Sequence, residues 1–182
     1  MVMMLGVILW LWPAQGGWTQ DLKMPEDAPV QIEADELSYD QEKDLYAARG
    51  NVVITYGDGV LTAASAEYDR KSNLATAWGN ALLQMARDSL AGDKIVVNVE
   101  DKTGVAYNSK AFYARNHFYI SGNRIEKTGE NTYFIDQPVA TTCDGDNPDW
   151  EIAGRSMKVT LEGYGLMKGA RLRARHLPVF YT

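Results

Sequence analysis

The chain has 182 residues, with 18 Lys and Arg against 24 Asp and Glu, a formal charge of −6, one Cys and two His. An acidic balance with scattered basic residues gives no field that attracts nucleic acid, and so few soft ligands exclude a structural zinc centre. With 46% hydrophobic residues, including ten Tyr, five Trp and four Phe, the chain has apolar surface enough for one folded domain and is not a disordered polymer.

Met3 to Trp12 read MMLGVILWLW, an uncharged apolar run of signal-peptide length and too short to span a bilayer as a helix. Ala14, Gly16 and Gly17 supply small residues for cleavage, although no Lys or Arg precedes the run. Residues 1–17 are therefore read as a signal peptide for export. The next stretch, 18–29, contains Pro25, Pro29 and mixed charge and reads as a linker. The folded domain is expected over 30–182.

From there the chain repeats itself. Tyr39-Asp40 recurs as Tyr68-Asp69 and Gly50-Asn51 as Gly79-Asn80, both at an offset of 29. Ile54, Leu83 and Phe112 fall in register, as do Leu45, Leu74 and Thr103, and later copies are weaker. Within a unit Val30, Ile32 and Ala34 alternate with polar residues, as do Ile95, Val97 and Val99 with Lys94 and Asn98. That is the period of strands, and no window carries helical apolar spacing over three turns. The segments 39–43, 69–73, 100–104 and 127–131 are turn-forming and predict a hairpin at each. The fold class is all-β, with stacked hairpins closing into a sandwich or open roll.

Chemical motifs are poorly represented. Asp144, Asp146 and Asp149 resemble the opening of a calcium loop, but Asp149 stands where Gly is needed and Arg155 where Glu is needed. Gly163-Tyr-Gly165-Leu-Met-Lys-Gly169 misses dinucleotide spacing, and no phosphate-binding loop occurs. Neither a metal nor a cofactor is expected, and no catalytic set is assembled. Cys143 is read as pairing with another chain or with a segment outside this one, or else as a buried free thiol. Arg171, Arg173 and Arg175 alternate with Leu172, Ala174 and His176, which places three guanidinium groups on one strand face. That face is either solvated or in contact with acidic groups of a glycolipid.

Ala34-Asp35-x-x-x-Tyr39-Asp40, leading to Ala48-x-Gly50-Asn51-Val52 and the second copy ending Gly79-Asn80-Ala81, resembles the repeat of the OstA-like periplasmic domains of lipopolysaccharide transport. That family comprises the bridge protein LptA and the N-terminal part of the outer-membrane translocon LptD. Thr141-Thr142-Cys143 through Pro148-Asp149-Trp150-Glu151-Ile152, followed by Leu177-Pro178-Val179-Phe180-Tyr181, is similar to the LptD branch. The resemblance implies an antiparallel β-jellyroll, open along one side, that carries lipopolysaccharide acyl chains between two sheets without enzymatic activity. It also implies a periplasmic domain normally held at the outer membrane by a C-terminal barrel, for which this chain leaves no room, so the chain is expected to be a truncated member. In the family the cysteine at this passage pairs with one near the end of the barrel, which makes Cys143 the disulfide candidate.

On that reading Ile32, Leu45, Ile54, Leu74, Leu83, Ile95, Val97, Phe112, Phe118 and Ile120 are expected to point into the lipid groove. The first strand, Val30, Gln31, Ile32, Glu33 and Ala34, is the expected docking edge, because unpaired strand edges recruit partners. The expected partners are lipopolysaccharide, an LptA-like bridge protein joined by strand addition, and the lipoprotein LptE with the missing barrel, but no nucleic acid. Two alternatives stand: a soluble LptA-like bridge, and a glycan-binding sandwich whose exposed aromatics would be Tyr107, Tyr113, Tyr119 and Tyr133.

Overall fold

The structure, a computed structural model, describes residues 30–181 apart from Asp146, Glu162 and His176. The expected signal peptide and linker lie outside the described residues. Fifteen strands occur in order: β1 (Gln31–Glu33), β2 (Glu36–Asp40), β3 (Leu45–Tyr56), β4 (Gly59–Asp69), β5 (Leu74–Met85), β6 (Asp88–Asn98), β7 (Thr103–Tyr113), β8 (Phe118–Lys127), β9 (Thr132–Asp136), β10 (Val139–Thr141), β11 (Trp150–Ala153), β12 (Ser156–Thr160), β13 (Gly165–Lys168), β14 (Arg171–Ala174) and β15 (Leu177–Tyr181). The one helical element among the described residues is a 3-10 turn, Ala114–Asn116. Every pairing is antiparallel, and the four hairpins expected from the turn-forming segments are present as β2–β3, β4–β5, β6–β7 and β8–β9.

The hairpin turns repeat one device. Asp40 accepts from the backbone N–H of Glu42 and Lys43, Asp69 from Lys71 and Ser72, and Asn98 from Glu100 and Asp101. A short side chain that bonds the backbone two and three residues on fixes the turn locally. Each of these three turns then closes through a left-handed residue, Asp44, Asn73 and Lys102.

A second repeated device shapes the molecule. The long strands β3 to β8 do not run straight; the register slips between Arg49 and Val52, between Thr62 and Ser65, and between Trp78 and Ala81. At the same level Gly50, Gly79, Asn108 and Gln137 stand 29 residues apart, all left-handed, with φ of 73°, 79°, 45° and 49°. Such bulges bend a strand and re-aim its second half. Each long strand therefore turns a corner and serves two sheets. β8 shows the division: Tyr119 to Ser121 pair with β10, while Arg124 to Lys127 pair with β9. Beyond it one sheet continues as β9–β12–β13 and the other as β10–β11–β14–β15. This is the antiparallel β-jellyroll.

Glycine is required at two of the corners. A Cβ on Gly50 would collide with the Asp35 carboxylate, and one on Gly79 would lie 2.6 Å from the Ala64 Cβ. At the third corner Asn108 takes the left-handed conformation, which Asn tolerates, and its amide donates to Asp93 at 2.7 Å; Asn51 does the same to Asp35 at 3.0 Å.

The core lines the inside of the corner. Ala48, Val52, Ala66, Ala77, Ala81, Ile95 and Ala106 form one buried cluster, against which Ile54, Leu61, Leu83, Leu90 and Val97 pack.

Candidate functional site

Directly paired residues of neighbouring strands share a sheet face, so the register can be traced as rows across the molecule. In the first sheet Ala48, Ala66, Ala77, Ile95, Ala106, Ile125 and Ile135 align from β3 to β9. All seven are buried. In the second sheet the row is longer and its side chains larger. Ile32, Ile54, Leu61, Leu83, Leu90 and Ala111 align across β1 to β7, and the row continues through Ile120, Ala140, Ile152, Leu172 and Phe180 to β15. No polar residue interrupts it over eleven strands, a length of about 48 Å at the usual strand spacing.

The two rows differ in size for a reason visible in the sequence: one sheet offers mostly alanines and the other mostly Ile and Leu. Large side chains from one side fill the space left by small ones on the other, as close packing requires. Near the corner the faces are shut; Ala77 and Ala106 keep 2% and 1% of their surface. Toward the N-terminal edge they are open to water, with Ile32 at 41%, Leu37 at 59% and Tyr46 at 42%.

Away from the corner the first sheet ends in an aromatic border. Tyr39, Tyr46 and Tyr68 lie side by side on β2, β3 and β4 on the same face as the alanine row, and Tyr39 stacks on Tyr46 at 4.5 Å between ring centroids. Their hydroxyls reach the turns: Tyr39 donates to Asp44 at 2.9 Å and Tyr68 to Asn73 at 3.3 Å. The bond to the Asp44 carboxylate raises the Tyr39 pKa. Tyr133 on β9 shares this face through its pairing with Lys127. Its phenol is also pushed up, first by burial and then by the Asp88 charge.

The expected groove residues divide between the two faces. Ile32, Ile54, Leu83 and Ile120 belong to the long row, Ile95 to the alanine row, Val97 lies two residues along from Ile95, and Phe118 two residues from Ile120. Leu45, Leu74 and Phe112 do not join them. Leu45 and Leu74 align with Asp40, Asp69 and Asn98 on the opposite face, and Leu74 is 39% exposed. Phe112 aligns with Ser89 and Tyr119, also on the opposite face. The reason is the corner. Two left-handed residues in a row, Gly50-Asn51 and Gly79-Asn80, preserve the alternation of β3 and β5, whereas Asn108 alone reverses it in β7. Leu61, Leu90, Ala111, Ala140, Ile152, Leu172 and Phe180, which the repeat register does not single out, complete the long row.

The expected docking edge is β1, three residues paired on one side with β3 and forming one end of the sheet. Val30 is 58% exposed, Gln31 and Glu33 are exposed, and Ala34 is half-buried and packs against the core.

Phe112 instead supports the loop that carries Cys143. It stacks on Tyr119 at 4.6 Å and meets His117 edge-on at 5.4 Å. Tyr119 donates to Asp144 at 2.7 Å, and His117 Nε2 lies 2.9 Å from the same oxygen. Those two bonds, Tyr119 first, hold the Asp144 carboxyl below its ordinary range. Cys143 is half-buried and unpaired within the described residues, and its N–H donates to Thr141 Oγ1 at 3.1 Å. Of the C-terminal arginines, Arg173 pairs with Glu151 at 2.9 Å and Arg175 with Asp149 at 3.0 Å, so neither stands free for an anionic ligand. His176 and Asp146 lie outside the described residues. Of the four tyrosines considered as a glycan patch, Tyr113 and Tyr133 face inward while Tyr107 and Tyr119 lie on outer faces of different sheets; they do not form one surface. Among the described residues no group of three or more His, Cys, Asp or Glu is placed to hold a metal ion.

Residues 31–163 match the family model described as LptA/(LptD N-terminal domain) LPS transport protein. The chain is 29% identical over 158 residues to the LPS-assembly protein LptD of Nitrosomonas europaea and 30% identical over 157 residues to that of Nitrosomonas eutropha, in each case 86% of this chain and 22% of the relative. It is 27% identical over 165 residues to the LptD of Neisseria meningitidis, covering 89% of this chain and 20% of the relative. The chain thus spans about a fifth of the length of the curated relatives it matches. Among solved structures it is similar to LptH, the LptA homologous periplasmic component of the lipopolysaccharide transport device of Pseudomonas aeruginosa, with a TM-score of 0.33 and 16% identity over 77% of this chain and 82% of that one.

Proposed function

This chain belongs to the family of LptA and LptD N-terminal-domain lipopolysaccharide transport proteins, and from that premise we propose that its jellyroll receives lipopolysaccharide from a periplasmic bridge and passes the acyl chains along its inner face toward an outer-membrane barrel. The observation that carries the proposal is the apolar row from Ile32 to Phe180, unbroken from one edge strand to the other. Exposing one methylene costs about 0.8 kcal/mol, so a chain of a dozen carbons costs roughly 10 kcal/mol in water. A row with no polar step lets that chain move from strand to strand without incurring this cost. Moving lipid along a groove calls for no bond-breaking chemistry, and the role proposed is that of a conduit and not of an enzyme.

The acyl chains enter where the sheets part, between the Tyr39–Tyr46–Tyr68 border and the Ile32–Ile54 end of the long row. Small alanines on one side favour this: an acyl chain takes up the contacts that Leu61, Leu83 and Leu90 make in the closed state. Strand addition of an LptA-like bridge at Val30–Ala34 would extend the sheet that carries the long row and continue that row into the neighbour. The setting is the periplasm, with attachment through the barrel and its lipoprotein LptE, and Cys143 paired with a cysteine beyond this segment.

The test is photocrosslinking to intact lipopolysaccharide with a probe at Ile54, Leu83 or Ile120, and with Leu74, Phe112 and Lys71 as outer-face controls. Adducts at the first three alone are expected. Equal labelling of Leu74 and Phe112, or none at Ile54, Leu83 and Ile120 in folded protein, overturns the proposal.

A further inference from the structure

The outer face of the first sheet carries a feature that the conduit does not use. Across β3 to β8 the register aligns Arg49, Ser65, Trp78, Lys94, Tyr107 and Arg124. Trp78, Lys94 and Tyr107 are immediate neighbours on successive strands, a cation between two rings, with Tyr107 39% exposed. Beside them is a hollow of about 390 Å³ lined by Glu67, Thr76, Trp78 and Lys94. Arg124 is held by Glu126 at 2.9 Å, whereas Arg49 and Lys94 make no ion pair among the described residues.

The lining selects a chemical class. A purely apolar occupant would bury Glu67 and Lys94 without partners, which is costly. A simple anion would meet the Glu67 carboxylate. A sugar ring satisfies both: its C–H face packs on the Trp78 indole, and its hydroxyls donate to Glu67, accept from Lys94 and do either with Thr76. Bonds to charged partners of this kind are the stronger ones. Lys94 stands two strands from Glu67, so an anionic substituent on such a sugar can lie against Lys94 on the side away from the Glu67 carboxylate. We propose that this face is a binding site for a phosphorylated oligosaccharide, centred on Trp78, with Glu67 and Thr76 reading the hydroxyls and Lys94 the phosphate. The site lies opposite the acyl-chain face and rests on the conduit reading only in the choice of probe.

The probe is a deacylated, phosphate-bearing lipopolysaccharide core oligosaccharide, titrated into the full chain by calorimetry and by saturation-transfer NMR. Saturable binding is expected. Glu67→Gln and Trp78→Ala should each weaken it by about tenfold or more, the loss typical of a charged hydrogen bond or a stacked ring. Glu67→Gln serves if Trp78→Ala fails to fold. Dephosphorylated oligosaccharide should bind more weakly than the phosphorylated form, and Lys94→Gln should abolish that difference, a result that a merely structural role for Lys94 would not produce. Absence of binding to the folded chain, binding indifferent to Glu67→Gln and Trp78→Ala, or equal competition by polyglutamate overturns the proposal. Crosslinking of intact lipopolysaccharide at Ile54 and Leu83 is read in parallel: its survival alongside a failed titration removes only the sugar site, and its loss alongside a successful titration removes only the conduit.

Discussion

Replacing Gly79 by Ala tests the corner directly. Gly79 has φ of 79°, and a Cβ there would lie 2.6 Å from the Ala64 Cβ. Holding a non-glycine residue in the left-handed region costs about 1 kcal/mol, and forcing a methyl into an occupied space costs about 1–3 kcal/mol more, so Gly79→Ala should lose about 2–4 kcal/mol. The two parts separate by design. Gly145 has φ of 83° and nothing within 4 Å of its would-be Cβ, so Gly145→Ala should show the conformational part alone, about 1 kcal/mol. Conversely Ala64→Gly removes the opposing methyl. Alone it should cost about 0.5–1 kcal/mol as a strand glycine, yet combined with Gly79→Ala it should restore the steric part, a coupling of about 1–3 kcal/mol in the double-mutant cycle. Urea unfolding of the four variants gives these values from midpoints at constant slope. If Gly79→Ala costs no more than Gly145→Ala, or if Ala64→Gly and Gly79→Ala simply add, the corner does not depend on the close approach of these two strands and the reasoning fails.

Ile135 keeps only 2% of its surface, so Ile135→Ala should destabilise by about 2–4 kcal/mol, while Ile32→Ala, at a position 41% exposed, should cost less than about 1 kcal/mol; the same unfolding series measures both. Ala106→Leu adds volume at a site with 1% exposure and should cost about 1–3 kcal/mol, with the loss appearing as a lower denaturation midpoint. The turns have a pH dependence of known sign. The Ser72 hydroxyl, with the Ser72 and Lys71 N–H groups, holds the Asp69 carboxyl below its ordinary value of 3.8, and a depressed folded pKa means that the stabilisation is complete above 3.8 and lost as pH falls through the folded value. Amide NMR shifts of Lys71 and Ser72 should track that titration, and Asp69→Asn should abolish it while keeping the turn, since Asn98 already caps the next turn without a charge.

What could be read in the sequence was the repeat, the strand period and the turns, because each of these is written in local chemistry. Tyr39-Asp40 and Tyr68-Asp69 mark the turn device, and Gly50-Asn51 and Gly79-Asn80 mark the corner. Faces were less legible. Counting forward by 29 carries Ile54 to Leu83 correctly and then to Phe112, one residue away from Ala111, because the third corner has one left-handed residue where the first two have two. Leu45 and Leu74 mislead differently: they are apolar side chains among Asp40, Asp69 and Asn98 on an outer face, and hydrophobicity alone does not say which way a residue near a turn points. The alanine row was invisible, since Ala48, Ala66, Ala77 and Ala106 carry little apolar weight in any pattern. Trp78 and Glu67 gave no signal either, because their adjacency exists only across a strand pairing.

The regular spacing of the corner has a consequence for how such a molecule changes length. Positions 50, 79, 108 and 137 place a left-handed residue at the same interval, and each unit touches mainly its neighbours, as in other stacked architectures. Inserting or deleting one whole unit would shift every later corner together and leave both edges intact, lengthening or shortening the span by two strands, about 10 Å. An insertion of any other size would put a corner out of phase with the strand beside it. The molecule is in this sense a ruler with one graduation, and evolution or design can alter its reach only in whole steps.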